Sequence, residues 1–252
     1  MCRMLLSVGN IKEKSIIEYL LQGIIDMALE KTGEQHEILK KMPEFKHDSG
    51  WGSAWVYNNE ISLIKSPKPI FEEKEKLFSL TNYLLNSKWF LIHARKASPG
   101  YEVKTENVHP FVVDFKGTPV VFAHNGEVKK SFLETMPEPK NFVLTGTTDS
   151  ERFFYYLLEK LESPKNINKP NVEIILNSIP ETEYSGLNFF LATPEKVLVN
   201  VMHSKRPKYF TMKKTIVNGA IIISSEKFTI PNATWEEIPN HTLLELQVNN
   251  LP

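Results

Sequence analysis

The 252-residue chain has a single cysteine, Cys2. One thiol cannot close an intramolecular disulfide, and it excludes a structural zinc site built mainly from thiolates. Net charge is also lacking: 30 Lys and Arg balance 30 Asp and Glu. Without a surplus of either sign there is no electrostatic footprint for a nucleic acid or a membrane. No apolar run is long enough to span a bilayer. The N-terminal apolar stretch, Met4 to Val8, is too short for a signal-peptide core, and no small-residue cleavage site follows it. The expected location is therefore cytoplasmic. Repeats, low-complexity tracts and a domain boundary are absent too, so one domain over residues 1–252 is expected.

What is present is a strand-rich pattern with helices in clusters. Cys2 to Val8 reads as a first strand. Ile16, Ile17, Leu20, Leu21, Ile24, Ile25 and Ala28 recur at helical spacing between about Lys12 and Lys31. Met42 to Gly52 reads as a loop. Strands at Ser53–Tyr57 and Ile61–Lys65 flank an Asn58-Asn59 turn. A helix is expected from about Lys74 to Asn86 and a buried strand over Trp89–Arg95. Phe111–Phe115 and Pro119–Ala123 make a hairpin around Lys116-Gly117. Thr148-Asp149-Ser150-Glu151 has the capping-box pattern, opening a helix to about Leu161, and another helix follows near Val172–Ile179. The remaining strands fall at Leu187–Thr193, Val197–His203, Tyr209–Lys213, Ala220–Ser224 and Leu243–Val248. Helices that cluster between blocks of strands argue for antiparallel sheets with helices packed outside.

Several residues carry chemistry, each with a plainer role available. Cys2 alone suits a small apolar residue opening a buried strand. Asn125-Gly126 is the commonest hairpin dipeptide, and a tight turn would also expose the Gly126 N–H. Arg95 ends an apolar strand. Asp149 fits the first turn of a helix, where the macrodipole favours an acid. Trp51 suits an aromatic core anchor. His93, His109 and His124 are enough histidines for a zinc ion, but none is spaced for a helical pair, so no metal is expected. His109, before Pro110, is placed as a structural or pocket-lining residue.

Four segments change this balance: Met1-Cys2-Arg3; His47-Asp48-Ser49-Gly50-Trp51-Gly52; Ile92-His93-Ala94-Arg95-Lys96-Ala97-Ser98-Pro99-Gly100 with Asn107-Val108-His109-Pro110-Phe111; and Phe122-Ala123-His124-Asn125-Gly126 with Thr147-Thr148-Asp149-Ser150-Glu151. In this order the chain resembles the class II glutamine amidotransferases, most of all their small free-standing members. Ser49 stands where those members often have aspartate, and Pro99 where synthase-linked members have histidine.

The resemblance implies the N-terminal-nucleophile fold, α+β in class, an αββα sandwich of two antiparallel sheets between helical layers. It implies that Cys2, once first in the chain, attacks a glutamine side-chain amide to give a thioester. The α-amine of the same residue would be the general base, because its ordinary pKa of about 7.7–8.0 suits the task. Asn125 and Gly126 would form the oxyanion hole. Arg95, assisted by Ser98, would hold the substrate α-carboxylate, and Asp149 its α-ammonium. Trp51, Gly52 and His109 would line the substrate site. No cofactor is implied. The partner is a small molecule, glutamine or a γ-glutamyl compound, with a homodimer or a separate synthase subunit as further options. Two alternatives stay open: hydrolysis of a larger γ-glutamyl compound or peptide, and a non-catalytic subunit that binds glutamine or glutamate. The last hundred residues show no nucleotide-binding loop or acceptor-site motif. The expectation is that hydrolysis is the complete task.

Overall fold

The computed structural model describes residues 2–33, 44–136 and 138–248. Among these residues the strands form two antiparallel sheets. The first runs in the order β11 (Glu236–Glu237), β9 (Lys213–Val217), β10 (Ala220–Ser224), β1 (Arg3–Val8), β4 (Trp89–Ala94), β2 (Trp51–Tyr57), β3 (Glu60–Ser66). The second runs β12 (Thr242–Gln247), β8 (Lys196–Val201), β7 (Tyr184–Ala192), β6 (Thr118–Val128), β5 (Phe111–Phe115).

Strand alternation builds three apolar layers from these sheets. Met4, Leu6 and Val8 of β1 and Trp89 and Leu91 of β4 face Val121 and Ala123 of β6 and Phe190 and Ala192 of β7, so this cluster lies between the sheets. Leu5, Phe90 and Ile92 point the other way. They pack against α1 (Lys14–Ala28) and against α2 (Lys74–Phe78) and α3 (Thr81–Leu85). Phe122, Phe189 and Leu191 pack under α4 (Lys130–Thr135), α5 (Asp149–Leu161) and α6 (Lys169–Asn177). Each fully buried Leu, Ile or Phe contributes about 1.5–3 kcal/mol by leaving water. The result is the expected αββα order.

Local chemistry fixes the turns. Asn58 and Asn59 (φ 50° and 64°) and Lys116 and Gly117 (φ 54° and 83°) take the left-handed conformations that join β2 to β3 and β5 to β6. Thr148 caps α5, its hydroxyl accepting from the Glu151 N–H at 3.2 Å. The buried Glu151 carboxylate does not complete a capping box. It accepts from the Thr145 and Gly146 N–H groups instead, tying the preceding loop to the helix.

Several boundaries differ from expectation. Lys74–Asn86 is two short helices, α2 and α3, not one. Asn125-Gly126 is no turn, because β6 continues to Val128. The segment expected as a strand from Tyr209 to Lys213 opens as a short helix, α7 (Pro207–Phe210), with β9 only beginning at Lys213. Pro207 suits the first turn of a helix, since its missing N–H would have no partner there. Met42 and Pro43 of the expected loop lie outside the described residues.

Candidate active site

Cys2 sits just before β1, where the sheet runs out beside it. Met4 exchanges hydrogen bonds with Ser225, donating to Oγ at 2.8 Å and accepting from its N–H at 2.9 Å. Two residues earlier the Cys2 main chain turns the same way, past the end of β10. Side chains take the missing strand's place. The Cys2 nitrogen donates to Asn125 Oδ1 at 2.7 Å, and the Tyr209 hydroxyl donates to the Cys2 carbonyl at 3.3 Å. With Oδ1 committed to Cys2, the NH₂ is the remaining hydrogen-bonding group of the Asn125 side chain.

The thiol is buried. Burial alone would raise it, but the electrostatic pull of His93 and the Lys96 N–H outweigh that and hold it down to about 6. Cys2 is thus a thiolate at neutral pH, the nucleophilic form. His93 lies two positions before Arg95 and so on the same face. Its Nε2 is 3.1 Å from the His124 carbonyl. A carbonyl only accepts, so Nε2 carries the proton.

Gly126 lies beside Asn125 in β6, opposite Leu187 of β7. Leu187 directs both its main-chain groups toward β8, donating to the Met202 carbonyl at 2.7 Å and accepting from Asn200 Nδ2 at 2.7 Å. Its partner Gly126 therefore occupies a non-hydrogen-bonded position, with its N–H turned away from β7. On that side β5 has ended at Phe111, opposite Phe122. The N–H thus faces the open end of the sheet. No other residue fits here, because a Cβ on Gly126 would fall 1.7 Å from the Gly186 carbonyl oxygen.

Cys2, Arg95, Ser98, His109, Gly126 and Asp149 line one cavity of about 30 Å³, room for about one water. Arg95 is buried, and its Nη1 donates to the carbonyls of Glu102 at 3.2 Å and Ser49 at 3.4 Å. Burial lowers its pKa, partly countered by Cys2 and Asp149. Asp149 opens α5, and its Oδ2 accepts from the Val128 N–H at 2.8 Å, just beyond Gly126. His124 Nδ1 is 2.9 Å from Ser150 Oγ, fixing the start of α5 to β6.

His109 lies against His93, with centroids 4.3 Å apart and the rings tilted by 35°. Burial and the two neighbouring histidines hold it well below the usual imidazole range, so it is neutral. Among the described residues neither of its ring nitrogens has a hydrogen-bond partner, and no three His, Cys, Asp or Glu are arranged to hold a metal.

Trp51 and Gly52 are not brought into this group. Trp51 faces the α1 layer, opposite to Cys2, and its Nε1 donates to Glu73 Oε2 at 2.8 Å. Gly52 faces the site layer, but a Cβ there would lie 2.4 Å from the His109 carbonyl. It makes room for the 109–110 backbone, not for a ligand.

A family model of class II glutamine amidotransferases matches residues 37–205, more than half of the chain. The chain belongs to the class II glutamine amidotransferases. It is 38% identical over 118 residues to the Escherichia coli protein named "Putative glutamine amidotransferase YafJ", covering 46% of this chain and 43% of that protein. The glutamine phosphoribosylpyrophosphate amidotransferase of B. subtilis superposes with a TM-score of 0.70 at 16% identity, over 100% of this chain and 48% of that one. A glutamine aminotransferase class-II domain protein from Silicibacter pomeroyi superposes with a TM-score of 0.61 at 15% identity, over 100% and 97%. The fold is thus that of the N-terminal-nucleophile amidotransferases. The chain spans about half the length of the curated relatives it matches, between 43% and 56%. No helix among the described residues is long and apolar enough to cross a membrane.

The family match begins at residue 37, so the placement of Cys2 rests on its geometry. Sequence motifs gave no role to Tyr209 or Tyr101. Tyr101 lines the cavity beside Asp149, and burial together with the Asp149 charge pushes its phenol up. Each sits far in sequence from the group it meets. Only the alternation that puts His93 on the Arg95 face was available beforehand.

Proposed function

We propose that this amidotransferase hydrolyses the side-chain amide of glutamine or of a related γ-glutamyl compound through a thioester on Cys2. The observation that carries this is the 2.7 Å bond from the Cys2 nitrogen to Asn125 Oδ1. It sets the nucleophile's own nitrogen and the oxyanion amide on one contact. The thiolate attacks the amide carbon. The oxygen gains charge, and the Asn125 NH₂ and Gly126 N–H are the donors placed to take it. The C–N bond then breaks, with a proton passing from the Cys2 α-ammonium to the leaving amine. Water cleaves the thioester, releasing glutamate and restoring the thiol. This requires a free α-amine, hence a mature chain beginning at Cys2.

Arg95 and Asp149 supply a carboxylate fork and an acid for the α-amino acid head group. Nothing in that clamp reaches the amine released, so a γ-glutamyl peptide fits the same chemistry as glutamine. The test is a hydrolysis panel of L-glutamine and γ-glutamyl amides with wild type and Cys2→Ala, with intact-mass analysis of both. Wild type should lose Met1 and turn over at least one substrate, while Cys2→Ala falls more than about 10⁴-fold. An active species that retains Met1, or an active Cys2→Ala, would sink the mechanism.

A further inference from the structure

The four residues of α7 follow the stretch that the family model matches, yet they touch both halves of the site. Tyr209 is buried. Its hydroxyl donates to the Cys2 carbonyl at 3.3 Å and lies 3.0 Å from His47 Nε2. Its ring carries the buried Arg3 guanidinium 4.3 Å from the centroid, and Arg3 is held by Glu30 and by Glu226 at 2.6 Å. Burial pushes the phenol up, so it remains a donor. Phe210, next in sequence, meets the other half. Its ring fills the space a Cβ on Gly186 would need, at 2.7 Å, and Gly186 presses its carbonyl against Gly126. The Phe210 carbonyl accepts from Asn188 Nδ2 at 2.5 Å, and Asn188 pairs with Asn125 across β6 and β7.

One rigid turn thus holds the nucleophile by its carbonyl and backs the oxyanion glycine through one intervening strand. We propose that Tyr209 and Phe210 are positioning residues that keep Cys2 in register with Asn125 and Gly126. Neither touches the reacting atoms. Each acts through a neighbour whose displacement by a fraction of an ångström is costly in a near-attack geometry. The proposal rests on Cys2 being the nucleophile.

The test uses the full chain and whichever of L-glutamine and γ-glutamyl-p-nitroanilide is turned over faster. Iodoacetamide titration at pH 6, where the ordinary thiol of an unfolded chain is almost wholly protonated, counts the competent Cys2 thiols, so kcat is expressed per titratable thiol and a partly folded sample does not mimic the effect. Tyr209→Phe should lose about 10-fold in kcat per thiol with KM within twofold, and its alkylation should slow. Phe210→Leu should lose kcat with KM unchanged and with a smaller change in alkylation rate than Tyr209→Phe, because its ring backs Gly186 directly and reaches Cys2 only through the Tyr209 ring. If Tyr209→Phe gives too little protein to titrate, His47→Gln replaces it and should show the same split, reduced in size. Wild-type kcat per thiol in the Tyr209 or His47 variant overturns the proposal, as does an equal change in kcat and KM. Cys2→Ala separates the two claims. If it is active, the nucleophile is misassigned. If it is inactive while Tyr209→Phe behaves as wild type, only the positioning role fails.

Discussion

The two ends of the layer between the sheets are built from the same strands and the same faces, yet they differ in kind. Toward one end β1 supplies Met4, Leu6 and Val8, β4 supplies Leu91 and Trp89, and β6 supplies Ala123 and Val121. Toward the other the same alternation delivers Cys2, His93 and Asn125. The apolar end gains by leaving water, and the one indole among those residues, Trp89, donates to the Thr193 carbonyl at 2.9 Å. The polar end must satisfy each buried donor and acceptor, which fixes where every group points. Preorganised chemistry is thus obtained by ending the strand partners early and letting side chains take their hydrogen bonds.

Substitutions at the two ends should separate turnover from stability. Asn125→Ala removes the proposed oxyanion donor and the acceptor for the Cys2 nitrogen. We expect kcat to fall about 10²–10³-fold in steady-state assays; a loss under threefold would remove Asn125 from the transition state. Arg95→Lys keeps the charge but not the fork. Binding of the γ-glutamyl substrate should weaken by about 1.5–3 kcal/mol, read as a raised KM, and an unchanged KM would show that Arg95 points elsewhere. The thiol titrating near pH 6 gives a gentler signature. Its thiolate fraction rises with pH, so Cys2 alkylation should climb about tenfold per unit below pH 6 and level off above it. A profile still rising at pH 8 would indicate an unperturbed thiol. At the apolar end Leu6→Ala should cost about 2–5 kcal/mol of stability in chemical denaturation, with kcat per titratable thiol unchanged. A drop in kcat per thiol would mean that the two ends are coupled.

Much of this was legible in the sequence because it is local. α1 announced itself by seven apolar residues at helical spacing, and the two hairpins by Asn58-Asn59 and Lys116-Gly117. The expected roles of Cys2, Arg95, Asn125-Gly126 and Asp149 came from the order of four short segments that resemble the family, since each residue taken alone also suits a plainer structural place. The misses have a common cause. Trp51 was expected at the substrate because the resemblance placed it, with Gly52, in a substrate loop ahead of a strand expected to begin at Ser53. Beginning at Trp51, the period of two turns that side chain to the helical face. Tyr209-Phe210-Thr211-Met212 has strand-forming composition, but burial of both aromatic rings, on Arg3 and on Gly186, overrides propensity. The hydrogen bond from Cys2 to Asn125 crosses 123 positions, and no local pattern encodes such a distance.

The interlock of Gly126, Gly186 and Phe210 also limits how this sequence is able to drift. A side chain at Gly126 needs the Gly186 carbonyl to move, and one at Gly186 needs the Phe210 ring to move. A larger ring at Phe210 would push against Gly186 and against the neighbouring His203 and Tyr209 rings. None of the three changes is accessible alone without a clash, and each compensating change lies on a different strand or helix. Over evolutionary time the trio should therefore be inherited as a unit, three letters scattered along the chain that behave as one.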